Sequence, residues 1–130
     1  MSSCIFCKII TGELPCYKIA ENDNFIAFLD IKPFSLGHIM VIPKTHYRWV
    51  YDVPNFSEYW QFTREVTNIV LSKLKPRFIS YLTMGNQVEH AHIHIIPRYD
   101  NDSLMGEFRQ ELRLNLTPSE LQKINATLIS

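Results

Sequence analysis

The sequence predicts an α+β domain built on an antiparallel sheet, and three observations predict it. Apolar runs of strand character come in groups rather than alternating one by one with helices, which disfavours a doubly wound parallel sheet. From about Ser57 to Lys75 the apolar pattern switches to a helical period. Residues 90–95, His-Ala-His-Ile-His-Ile, alternate polar and apolar side chains with the period of two that puts every second residue on one face of a strand.

In chain order, Cys4 to Ile10 is short and apolar and closes on Thr11-Gly12, which predicts one or two helical turns. Pro15 breaks that run, Tyr17 to Ala20 reads as a short strand, and Glu21-Asn22-Asp23-Asn24 is turn chemistry. Phe25 to Ile31 and His38 to Pro43 read as strands rich in aromatic and branched residues, joined by a connection punctuated by Pro33 and Gly37, hence an antiparallel pair. An irregular segment with Trp49, Tyr51 and Pro54 leads to the long helix. Its expected stripe is Tyr59, Phe62, Val66, Ile69, Val70 and Lys73, opposite Arg64, Glu65, Asn68 and Ser72, with Ser57 as N-cap and Pro76 as stop. Phe78 to Met84 is read as a strand, Gly85-Asn86 as a tight turn and Val88 to Pro97 as the hairpin partner. A polar stretch follows, and Thr117-Pro118-Ser119-Glu120 then has the makings of a capping box before a last helix with Leu121, Ile124 and Leu128 on one side. About five strands, a central helix and a C-terminal helix result, all in one domain over residues 1–130.

Thirteen Lys and Arg against thirteen Asp and Glu leave no net charge, so nothing points to non-specific binding of nucleic acid or of an anionic membrane. No apolar run reaches the length of a membrane span. Met1-Ser2-Ser3-Cys4 lacks the basic and apolar regions of a secretory signal. The odd cysteine count, with one Cys-x-x-Cys pair, suits a reducing cytoplasm better than a disulfide framework, so a cytoplasmic protein is expected.

One histidine on an apolar face is ordinarily a satisfied core residue. Three in strict alternation, each with ring nitrogens that need partners, point instead to a catalytic or metal-binding strand at His90, His92 and His94. Cys4 and Cys7 have metal-ligand spacing without a second cysteine pair; a redox role is the weaker alternative, since no thioredoxin-like βαβ pattern surrounds them. Cys16 is expected to be a small buried side chain.

These residues resemble one family. His90-Ala91-His92-Ile93-His94-Ile95-Ile96 fits the signature of the histidine-triad family. Further similarity lies in Cys4 to Ile9, in Phe28-Leu29-Asp30-Ile31-Lys32-Pro33, in Gly37 to His46 and in Ile96-Pro97-Arg98. The motifs occur in order over residues 4–98, and 99–130 forms a C-terminal extension with a helix from about 118. The resemblance implies an α+β fold that commonly dimerises around the long helix and sheet, hence a homodimer. It also implies a nucleotide hydrolase or nucleotidyl transferase acting on nucleotidyl phosphoramidates or dinucleoside polyphosphates, most readily of adenosine.

The resemblance also implies roles. His92 is the nucleophile that forms a nucleotidyl-histidine, His94 serves the phosphate or bridging oxygen, and His38 lies near the same phosphate, unless it is only a core residue. Asp30 accepts from the ribose hydroxyls, and Ile5, Phe6, Leu14 and Ile31 form an apolar slot for the base. Cys4, Cys7, His46 and His90 make a closed, structural zinc site, and no organic cofactor is expected. Many relatives carry a longer Asn- and Gly-rich loop before the triad. Here Met84-Gly85-Asn86-Gln87-Val88 resembles the shortened loop of some members, with Asn86 or Gln87 taking over phosphate contacts. Two other readings stay open at this point: a non-catalytic nucleotide-binding module, and a catalytic metal on His90, His92 and His94.

Overall fold

The chain pairs β1 (Lys18–Glu21), β2 (Phe25–Leu29), β3 (Ile39–Pro43), β4 (Phe78–Leu82) and β5 (Ile93–Arg98) into one antiparallel sheet in the order β1-β2-β3-β5-β4. Three helices accompany it: α1 (Ile5–Ile10), α2 (Phe56–Leu74) and α3 (Pro118–Ile129). This computed structural model describes residues 4–104 and 107–130; residues 1–3, on which the expected lack of a secretory leader rests, lie outside the described residues. No described helix is long and apolar enough to cross a membrane.

Alternation along the strands divides the side chains between two faces. Phe25, Ala27, Leu29, Ile39, Val41, Ile93 and Ile95 turn to the main core, where Tyr59, Phe62, Val66 and Val70 of α2 and Leu121 and Leu128 of α3 cover them. The Phe25 and Tyr59 rings stack 5.0 Å apart, and the buried Tyr59 hydroxyl donates to the Val41 carbonyl at 2.6 Å. The opposite face carries Ile26, Phe28, Met40 and Ile42, covered in part by Phe6 of α1. Met40 pairs directly with His94 in the β3–β5 ladder, so the triad strand opens onto this second, thinly covered face.

The helix boundaries and stripe of α2 differ from expectation. Asn55, not Ser57, caps it: the Tyr59 amide bonds the Asn55 carbonyl at 3.0 Å, starting the helix two residues early, and Phe56 packs on Trp60 one turn on. Lys73 is exposed, whereas Thr63 and Thr67 are buried, with hydroxyls satisfied by the carbonyls of Tyr59 and Thr63. Helical back-bonding of this kind lets threonine hide in a core, and a reading by hydrophobicity misses it. At the other end Lys75 takes a left-handed conformation (φ 51°) before Pro76, as expected of a stop. The α3 capping box forms as read: Thr117 Oγ1 accepts from the Glu120 amide, and Glu120 accepts from the Thr117 amide.

The expected tight hairpin at Gly85-Asn86 is replaced by a ten-residue connection, 83–92, between β4 and β5. Two contacts explain it. Ala91 gives its amide to the Tyr47 carbonyl at 2.7 Å, so residues 90–92 run beside the segment after β3 rather than along β4. Gly85 lies under Trp49, where an added Cβ would come within 2.7 Å of the indole, and Arg48 donates to the Gly85 carbonyl. His90 and His92 therefore precede the strand proper, although they keep the strand's facing. Gly37 matters for the same face: at φ +89°, with Leu74 Cδ1 2.3 Å from any added Cβ, it turns the chain so that His38 enters the sheet.

Candidate active site and metal centre

A cleft of about 350 Å³ opens on the second face of the sheet. Its apolar wall is Ile5, Phe6, Ile9, Phe28, Ile31 and Met40, and its polar wall is Asp30, Asn86, Gln87, His92 and His94. Most of the expected site residues thus converge. Leu14 does not; its neighbours Pro15 and Cys16 line the cleft instead, and Cys16 is half-buried there. His38 is fully buried behind the wall, with Nε2 2.8 Å from His94 Nδ1 and 3.7 Å from Asp30 Oδ2. Gln110 and Arg113, from the C-terminal extension, line the cleft too. No sequence motif marks them, since they sit in a polar stretch without periodicity.

Hydrogen-bond partners dictate the tautomer of each buried imidazole. The Phe34 amide donates to His38 Nδ1 at 3.0 Å, so the proton of a neutral His38 sits on Nε2. Nε2 is 2.8 Å from His94 Nδ1 and donates to it, which leaves His94 with its own proton on Nε2. His94 therefore offers a donor on its remaining nitrogen. His92 is set the other way: Nδ1 is 2.8 Å from the His90 carbonyl and must donate, so Nε2 keeps a free lone pair. The edge of Phe6 packs against His92 with ring centroids 5.3 Å apart.

Burial keeps these rings neutral, as the bonding pattern requires. It lowers the pKa of His92, brings that of His94 down to about 3 with help from His92 and Arg113, and holds His38 well below the ordinary imidazole range. Burial raises the pKa of Asp30, against the pull of the Lys32 amide on Oδ1 (2.9 Å) and of Arg113 on Oδ2 (3.0 Å).

A second constellation lies beside the cleft. Ligand atoms of Cys4, Cys7, His46 and His90 all fall within 4.8 Å of one another. Cys4 Sγ is 3.4 Å from His90 Nδ1, and Cys7 Sγ is 3.3 Å from His46 Nδ1 and 3.6 Å from His90 Nδ1. A tetrahedral ion with metal–sulfur and metal–nitrogen bonds of about 2.3 and 2.1 Å needs S···N edges of about 3.6 Å. The residues fit such an ion. His90 Nε2 donates to the Pro43 carbonyl at 2.9 Å, which turns the Nδ1 lone pair toward the sulfurs, the usual outer support of a metal-bound imidazole. Without a cation, burial and the neighbouring Cys4 push the Cys7 thiol up to about 11.

The alternative of one metal on His90, His92 and His94 is not built: among the described residues those three do not converge, and His90 groups with the cysteines. Asp30, His38 and His94 do come together, but the His38–His94 hydrogen bond already occupies the facing nitrogens.

Comparison with known proteins agrees with this geometry. The chain is 33% identical to protein hit of Bacillus subtilis, over 97% of this chain and 92% of that protein. It is 36% identical to the adenosine 5'-monophosphoramidase of Schizosaccharomyces pombe over 80% of each chain. A Zn-bound histidine triad family protein of Mycobacterium smegmatis superimposes with a TM-score of 0.77 at 30% identity, covering 98% of this chain and 94% of that one. The HIT domain model matches residues 11–101, and the chain belongs to the histidine-triad family.

Proposed function

We propose that this protein is a nucleotide hydrolase or nucleotidyl transferase that works through a covalent nucleotidyl-histidine on His92. The observation that carries the reading is the pair of opposed tautomers in one cleft: a lone pair on His92 Nε2 beside a proton on His94 Nε2. A neutral imidazole with its proton pinned to a carbonyl needs no separate base to be nucleophilic. His92 attacks the α-phosphorus, and the bond from phosphorus to the leaving nitrogen or oxygen breaks while His94 donates a hydrogen bond to the departing or non-bridging oxygen. Solvent supplies the proton an amine needs. Water then cleaves the phosphorus–histidine bond and returns nucleoside monophosphate and free His92. Burial keeps His94 neutral at neutral pH, so it acts as a hydrogen-bond donor and carries no second proton to give as a general acid.

The nucleoside lies between Asp30, which takes the ribose hydroxyls, and the apolar wall of Ile5, Phe6 and Ile31, with Asn86 and Gln87 at the phosphate end. The monophosphoramidase relative supports a phosphoramidate of adenosine as substrate. Zinc on Cys4, Cys7, His46 and His90 is structural: four protein ligands leave it no open position. When bound it supplies a cross-link between the start of α1 and the approach to β5.

Incubation with adenosine 5'-phosphoramidate, followed by acid-free quenching and intact mass measurement, tests the mechanism. The wild type should carry one adenylate, and His92→Ala should lose the adduct and about a thousandfold or more of turnover. Full turnover by His92→Ala would refute the covalent route. Binding of adenosine monophosphate with no turnover of phosphoramidates or dinucleoside polyphosphates would favour a non-catalytic binding module instead.

A further inference from the structure

We propose that Arg113, which lies outside the matched family residues 11–101, is a positioning residue that holds Asp30 ionised and aimed at the ribose. The inference rests on the reading of Asp30 as the ribose acceptor. Arg113 Nη1 donates to Asp30 Oδ2 at 3.0 Å and to the Lys32 carbonyl at 2.6 Å, and its Nε donates to Gln110 Oε1 at 2.7 Å. The guanidinium lies 4.2 Å above the Phe34 ring, and the Leu114 amide bonds the Pro33 carbonyl at 2.7 Å. Each partner fixes one feature of the group: its height on the ring, its direction along the loop after β2, and its reach to the carboxylate. An arginine is suited to this because its donors form a rigid planar fork.

Asp30 needs such a partner. It is 7% exposed, and a buried carboxylate without a cation takes up a proton rather than stay charged. His38 Nε2 lies 3.7 Å away but is committed to His94, and His38 is neutral. Among the described residues Arg113 is thus the cation paired with Asp30. Lys32 and Arg113 take one position on each carboxylate oxygen. A carboxylate accepts about four hydrogen bonds, so one position per oxygen is left for two vicinal hydroxyls. The arrangement suits a ribose and wastes an acceptor on a 2'-deoxyribose.

Equilibrium binding by calorimetry tests this without depending on turnover. Adenosine monophosphate and 2'-deoxyadenosine monophosphate are titrated into full-length wild type, Asp30→Asn, Arg113→Gln and Arg113→Lys, with melting temperatures as folding controls. The wild type should prefer the ribonucleotide by about tenfold, the worth of one hydrogen bond to a charged group. Arg113→Gln should compress that preference to within about threefold, near the value for Asp30→Asn, with Arg113→Lys between. If Arg113→Gln keeps the wild-type ratio while Asp30→Asn loses it, Arg113 merely staples the C-terminal segment and the inference is overturned, even where the melting temperature falls. If Asp30→Asn keeps the ratio, the ribose reading of Asp30 fails first. Should Arg113→Gln not fold, a wild-type ratio in Arg113→Lys overturns the inference and an intermediate one supports it.

Discussion

Replacing His38 with Phe isolates the tautomer relay from the shape of the core. His38 is fully buried and nearly parallel to Phe34, with ring centroids 5.6 Å apart, so a phenyl ring keeps the aromatic stack while adding a little bulk. What disappears is hydrogen bonding. The Phe34 amide loses its acceptor, and His94 Nδ1 loses its donor. One orphaned buried amide costs about 1–3 kcal/mol, which near the middle of that range lowers the melting temperature of a chain this size by about 8 °C. The effect on turnover has a separate origin. Without a donor on Nδ1, His94 is free to carry its proton there and to turn a lone pair toward the phosphate, which repels it. Losing one donor aimed at a transition-state oxygen costs about a hundredfold in kcat. Both quantities come from one preparation, by thermal melting and by initial rates on adenosine 5'-phosphoramidate well below the transition. A variant that melts early but turns over within twofold of wild type would show that His38 does not set the state of His94. One that melts normally would show that the Phe34 amide does not depend on it.

The other predictions concern the metal and acid. Zinc should copurify in equimolar amount; Cys4→Ser should abolish tight zinc binding and a chelator should lower the wild-type melting temperature, whereas equal zinc in both proteins would move the site away from the cysteines. Acid should destabilise the fold as well. The pKa values of His38 and His94 are held below the ordinary 6.5, that of His94 at about 3, so between these limits the unfolded chain binds protons that the folded chain does not. Stability therefore rises with pH through this window and falls as pH drops. In zinc-free protein the melting temperature should decline steadily from pH 7 to pH 4, and His94→Asn should flatten the slope; a flat wild-type profile would contradict the burial of these rings in neutral form.

Patterns carried by neighbours in the chain were legible from sequence. The period of α2 and the capping box of α3 depend on residues a few positions apart, the antiparallel pair β2–β3 on partners 10 to 18 apart across one connection, and each forms as read apart from end residues. What failed depended on distant partners. The connection at 83–92 is held by Tyr47, Arg48 and Trp49, so the local Gly-Asn signal for a tight turn lost to contacts made some forty residues upstream. Thr63 and Thr67 are the local exception: hydrophobicity alone passes over them because carbonyls of their own helix, four residues back, satisfy their hydroxyls.

The candidate site divides along the same line. Alternation alone puts His90, His92 and His94 on one face and makes them look equivalent. Their chemistry is set by what holds the second nitrogen of each ring: the Pro43 carbonyl for His90, the carbonyl of His90 itself for His92, and His38 for His94. The first leaves a lone pair facing the sulfurs, the second a free lone pair in the cleft, the third a proton in the cleft. Only one of these partners is a chain neighbour of its histidine; the other two lie 47 and 56 residues away. Arg113 is an extreme instance, since 83 residues separate it from Asp30 and nothing around it in the sequence distinguishes it from a solvated charge. On the proposed mechanism the motif supplies the nucleophile, while the strands that cross behind it set which ring nitrogen is free and the segment that follows it brings Arg113 to Asp30.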